Sequence, residues 1–105
     1  MSLDLHVVPS PHAESLLEGL EGAGDERYFF RESLVATILL VHREGELASV
    51  EVGVSGHDVD AAARARGFEE LLTLLEGLGP VYDARDGRQL VGAARTEAIR
   101  DFAGD

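Results

Sequence analysis

Two residues far apart in the chain, His6 and Glu51, have the side-chain types that move protons. His6 lies in the alternating run LDLHVV, residues 3–8, on the same side as Asp4 and Val8. Glu51 lies in Leu47–Val54, on the same side as Ser49 and Gly53. If these runs are neighbouring strands, the two polar sides are contiguous. An imidazole beside a carboxylate can then serve as a general base, a ligand anchor or a surface ion pair. The surface pair is the simplest outcome. His42 closes a later strand beside Arg43 and is expected to project into solvent. His12 falls in the first turn of a helix, where the dipole disfavours its cationic form.

Other clusters are explained without chemistry. His57, Asp58 and Asp60 bring ligand types together, but residues one and three apart diverge once a helix starts, and no matching His or carboxylate group stands elsewhere. Capping and the helix dipole account for the two Asp residues, with Asp58 the expected N-cap. Asp83 with Asp86-Gly87 suggests a calcium loop, yet counting back from Gly87 puts Tyr82 and Ala84 where carboxylates are required. A tight turn at Asp86-Gly87 is expected instead. The chain has no cysteine, which removes thiolate nucleophiles, thiolate metal sites and disulfides. Gly53, Gly56 and Gly67 do not form a phosphate-binding GxGxxG, and no serine stands in a nucleophile elbow. No catalytic residue, metal site or cofactor is assigned.

The elements that must position His6 and Glu51 follow from hydrophobic period. After the first strand, Pro9 breaks the chain, and Ser10-Pro11 opens a helix whose apolar stripe is Ala13, Leu16, Leu17, Leu20 and Ala23. Gly22 and Gly24 are its expected stop. Residues 27–43 begin Arg27-Tyr28-Phe29-Phe30 and run into a long strand, 34–42. The turn Arg43-Glu44-Gly45-Glu46 returns the chain into a third strand in which Ala48, Val50, Val52 and Val54 alternate with polar residues. A second helix buries Ala61, Ala65, Phe68, Leu71, Leu72, Leu75 and Leu78, with Gly67 a candidate kink or break. Asp60 with Arg64, and Arg66 with Glu70, have the spacing of surface pairs. Gly79-Pro80 ends this helix, short strands follow at 81–83 and 89–91, and residues 93–103 form a last amphipathic helix. The expected fold is a single α+β domain, residues 1–105, with a ferredoxin-like βαββαβ antiparallel sheet. Two helices cover one face, and a short strand and helix are added at the C-terminal end.

The strand 34–42 is apolar on both sides: Val35, Leu39 and Val41 on one, Leu34, Ala36, Ile38 and Leu40 on the other. Helices on one face of a sheet leave the other side of this strand uncovered. A candidate binding surface of His6, Glu51, Ile38, Leu40 and His42 results, covered by the C-terminal helix or by a second copy of the chain.

Composition narrows the partners. Twenty acidic residues against nine basic ones give a net charge of −11, and every basic residue is Arg. Codon bias with selection for solubility is the simplest cause. Nucleic acid and anionic membranes need a basic surface and are not expected as partners. No apolar run approaches the roughly 20 residues of a membrane span, and the start lacks the form of a secretory signal; a cytoplasmic location is the expectation. The functional expectation is a small acidic binding or regulatory module, non-catalytic and homodimeric through the sheet or its edge, with the 93–103 helix contributing. The alternatives are a stoichiometric inhibitor of a basic protein partner, as immunity proteins are to toxins, and a small enzyme using the His6/Glu51 face.

Overall fold

The computed structural model describes residues 2–104. Its elements run β1 (Ser2–Val7), α1 (Ala13–Glu18), β2 (Glu21–Ala23), β3 (Glu26–Arg31), β4 (Leu34–Arg43), β5 (Glu46–Gly56), α2 (Ala61–Leu78), β6 (Val81–Asp83) and α3 (Gly92–Ala103). The strands form one six-stranded sheet, order β2-β3-β4-β5-β1-β6, and each of these pairings is antiparallel. The chain is therefore α+β, with three helices and an antiparallel sheet among the described residues.

The βαββαβ expectation is corrected. Two further strands, β2 and β3, stand between α1 and β4. The first helix does not reach Ala23 but stops at Glu18, with Gly19 as its C-cap. Gly22 then adopts φ 147°, and a Cβ there would lie 2.1 Å from the Glu26 carbonyl oxygen. That approach admits only glycine and lets β2 fold onto β3. The β3–β4 reversal is the two-residue loop Glu32-Ser33, closed by the Arg31–Leu34 pair. Neither loop residue has positive φ, so the reversal carries no Gly or Asn to announce it.

The helices α1, α2 and α3 lie on one face of the sheet. α2 buries Phe68, Leu71, Leu72, Leu75 and Leu78, and α1 adds Ala13 and Leu17. α3 packs on α2 through Phe102, whose ring stacks on Phe68 at 4.6 Å. A Cβ added to Gly56 would lie 3.2 Å from the same ring. Of the two covers expected for the open side of β4, the C-terminal helix is thus corrected: the apolar face of residues 93–103 is held by α2. Arg64 fastens the junction, donating from Nε and Nη2 to the Ala103 carbonyl at 3.0 and 2.7 Å. It does not pair with Asp60, whose side chain instead accepts from the Ala63 amide at 2.7 Å. Asp60, and not Asp58, is the N-cap. Glu70 likewise pairs with Arg31 of β3, not with Arg66.

α2 runs unbroken through Gly67. This glycine is a contact point: a Cβ there would lie 1.9 Å from Ser33 Oγ, so its small size sets how closely α2 lies on the β3–β4 turn. Residues 89–91 form no strand; Gln89 makes a single bridge to Tyr82. The Asp86-Gly87 turn is present, with Gly87 at φ 74°.

The β4–β5 register decides which side of β4 faces the helices. Glu44 and Gly45 both have positive φ, 55° and 81°, and join the Arg43–Glu46 pair as a two-residue loop. Counted outward without interruption, that loop would place Ile38 opposite Glu51. A bulge between Val41 and His42 shifts the register, so that Val41 pairs Ser49, Leu40 pairs Val50 and Leu39 pairs Glu51. A one-residue shift exchanges the two faces of a strand. Leu34, Ala36, Ile38 and Leu40 therefore enter the core. Leu39 and Val41 remain 42% and 37% exposed on the far side.

Candidate functional site

Cross-strand partners share a face, so the register gives the rows of the uncovered side directly. One row reads Tyr82, His6, Glu51, Leu39, Glu26 and Ala23 across β6, β1, β5, β4, β3 and β2. The next reads Asp4, Gly53, Thr37, Tyr28 and Glu21. Beyond it lie Ser2, Ser55, Val35 and Phe30. On the other flank Val41 pairs Ser49, and Val8 continues β1 past Val7.

His6 and Glu51, expected together if their runs are neighbouring strands, are direct cross-strand partners. Nδ1 of His6 lies 2.8 Å from Oε1 of Glu51. A carboxylate only accepts, so Nδ1 carries the proton and Nε2 is the acceptor nitrogen of the neutral ring. The side chains are 35% and 44% exposed, which makes the pair a surface feature of modest energy. The Tyr82 ring stands 6.4 Å from the imidazole, tilted by 50°. Between His6, Val8, Glu51, Tyr82 and Gly87 lies a shallow depression of about 470 Å³. A second, of about 370 Å³, opens over Gly53 between Asp4, Thr37 and Leu39. Gly53 has no side chain, so the surface dips there.

The remaining candidates fall elsewhere. Ile38 and Leu40 are 0% and 8% exposed, and their assignment to the His6/Glu51 surface is corrected by the bulge. His42 stands on the helix side, its Nε2 3.2 Å from Glu14 of α1 and its Nδ1 3.3 Å from Asp25. His57 is tied to the β3–β4 turn through the Glu32 carbonyl at 3.1 Å. Asp83 is 3% exposed and accepts from the Arg85 amide at 2.9 Å, a turn-stabilising role. Among the described residues, no group of three or more His or carboxylate side chains could hold a metal ion. No helix among them is long and apolar enough to cross a membrane.

Beside the expected set, the uncovered face holds four exposed apolar side chains. Val8, Phe30, Leu39 and Val41 are exposed on it, at 45%, 55%, 42% and 37%. With the half-buried Val35 and Tyr28 between Phe30 and Leu39, they form an apolar strip across the sheet. Glu26 accepts a hydrogen bond from the Tyr28 hydroxyl, and that carboxylate holds the phenol above the ordinary tyrosine value of 10.0. The sequence signals for these residues are the alternation that puts Val8 on the side of His6 and the two-sided apolarity of β4, which has Leu39 and Val41 on one side; Phe30 has no such signal. No protein-family model, curated protein or solved structure matches the chain.

Proposed function

We propose that the chain is a non-catalytic binding module that engages its ligand through the uncovered face of the sheet. The observation that carries this reading is the strip Val8, Phe30, Leu39 and Val41, exposed together on one side while α1, α2 and α3 pack on the other. Single exposed apolar residues are ordinary; four on one sheet side that no helix covers favour docking. The His6–Glu51 pair and the dip at Gly53 add polar and shape features for orienting a ligand.

Nile red, an uncharged apolar dye, tests the reading. Its fluorescence should rise on the native protein and fall to background in a Leu39→Ser, Val41→Ser variant. A Leu16→Ser, Val91→Ser variant removes exposed apolar residues off this face (48% and 56% exposed) and should leave the signal unchanged. No enhancement, or loss in the second variant and not the first, would overturn it.

A second reading, a small enzyme, has the 2.8 Å His6–Glu51 contact in its favour. Nε2 would act as a general base toward a group held beside Tyr82. It requires hydrolysis of p-nitrophenyl acetate faster than free imidazole achieves, abolished by His6→Gln. A rate equal to free imidazole removes it.

A further inference from the structure

We infer that the occupant of the uncovered face is a cationic protein surface, presenting arginine or lysine side chains beside apolar ones. This rests on the binding-module reading and adds the chemistry of the partner. Among the described residues, the rows through Leu39, Thr37 and Val35 carry four carboxylates, Asp4, Glu21, Glu26 and Glu51, and no arginine; Arg43, which shares this side at the end of β4, is paired across the strands with Glu46. Arg27 and Arg31 of β3 pair with Ile38 and Leu34, positions of the opposite parity, and so belong to the helix side. There Arg27 donates to the Leu17 carbonyl, Arg31 meets Glu70 at 2.5 Å and Arg95 meets Glu76 at 2.7 Å. Arg64 is held by Ala103. These arginines are engaged in fastening the helical layer, and the sheet face is left negative.

Placement matters more than the total. Leu39 lies between Glu51 and Glu26 in one cross-sheet row. Adjacent strands are about 5 Å apart, so any apolar group seated on Leu39 brings its neighbours within reach of both carboxylates. The row alternates acid, apolar, acid. A surface that alternates cation, apolar, cation is its complement, and the net charge of −11 steers such a partner toward it.

A second copy of the chain is the wrong complement. Packing two such faces together sets carboxylate rows against each other and removes water from both. Of the groups that could relieve this, His6 is already held by Glu51, and Arg43 stands at the end of β4 opposite Glu46. The same charge opposes nucleic acid and anionic lipid.

The test uses the full chain and a synthetic strand peptide alternating Arg and Val, measured by fluorescence anisotropy. Binding should weaken by about tenfold in a Glu26→Gln, Glu51→Gln variant, the size expected when two charge contacts are lost. A Glu18→Gln, Glu69→Gln variant carries the same net charge with the change on the helix side; it should lose no more than about twofold. Leu39→Ser should weaken binding in parallel, and a peptide with Glu in place of Arg should not bind. Equal losses in the two carboxylate variants would overturn the inference, because the peptide would then be reading total charge. So would no binding of the Arg peptide, or a wild-type dimer in light scattering that Leu39→Ser dissociates. If the peptide fails while Nile red still maps to Leu39 and Val41, the inference alone falls. If both fail, the binding-module reading falls with it.

Discussion

Replacing Gly67 by Ala should destabilise the protein, although the same change in an ordinary helix interior is favourable by about 0.5–1 kcal/mol. The added Cβ would sit 1.9 Å from Ser33 Oγ and 3.3 Å from Ser33 Cβ. Ser33 is 2% exposed, so turning its hydroxyl aside presses it against another neighbour in a filled interior. Overpacking of this kind costs about 1–3 kcal/mol. Against the helix-propensity gain, the net loss should be about 1–2 kcal/mol, with the melting temperature falling by about 4–8 °C per kcal/mol. Ser33→Ala in the same chain removes the atom at 1.9 Å and should restore stability to wild type or above. The coupling between the two sites should then reach at least about 1 kcal/mol in a double-mutant cycle by urea unfolding. A single variant as stable as wild type, or a double variant no better than the single, would refute this seating of α2 on the sheet.

Other consequences come from the same packing. Phe102→Ala removes the ring stacked on Phe68 and covering Gly56, and should cost about 3–5 kcal/mol in denaturant unfolding. Arg64→Ala frees the Ala103 carbonyl and should cost about 1–3 kcal/mol, with hydrogen exchange rising in α3 before the β1, β4 and β5 amides. In a Tyr82→Phe background, ultraviolet titration should place Tyr28 above the ordinary tyrosine value, because ionising it sets phenolate against the Glu26 carboxylate. Glu26→Gln should bring that titration down; an unchanged midpoint would show the pair is not formed in solution.

The sequence is legible where a local signal has one structural meaning. Gly45 marks its hairpin because glycine takes a positive φ without steric cost. Alternation in β1 and β5 gives the sides on which His6 and Glu51 lie, and the adjacency of the two strands brings them together. The pattern of β3 runs on into β4 because Glu32-Ser33 turns without glycine. Helix α1 reads too long because Leu20 and Ala23 continue a helical stripe, while the demand for close approach at Gly22 is a tertiary fact. Gly67 looks like a flaw in a helix until the sheet is placed beneath it. Most consequential is β4: apolar on both sides, it offers no parity of its own. The bulge at Val41/His42 alone decides that Leu39 and Val41, not Ile38 and Leu40, are left in water.

Amide chemical-shift mapping addresses that exposed face, and with it the proposed function, most directly. Titrating the labelled chain with the Arg/Val peptide should move amides of Val8, Leu39, Val41 and Glu51 together, in one saturating process, and leave α2 and α3 in place. Shifts gathered along the helices, or spread evenly over the acidic surface, would contradict it.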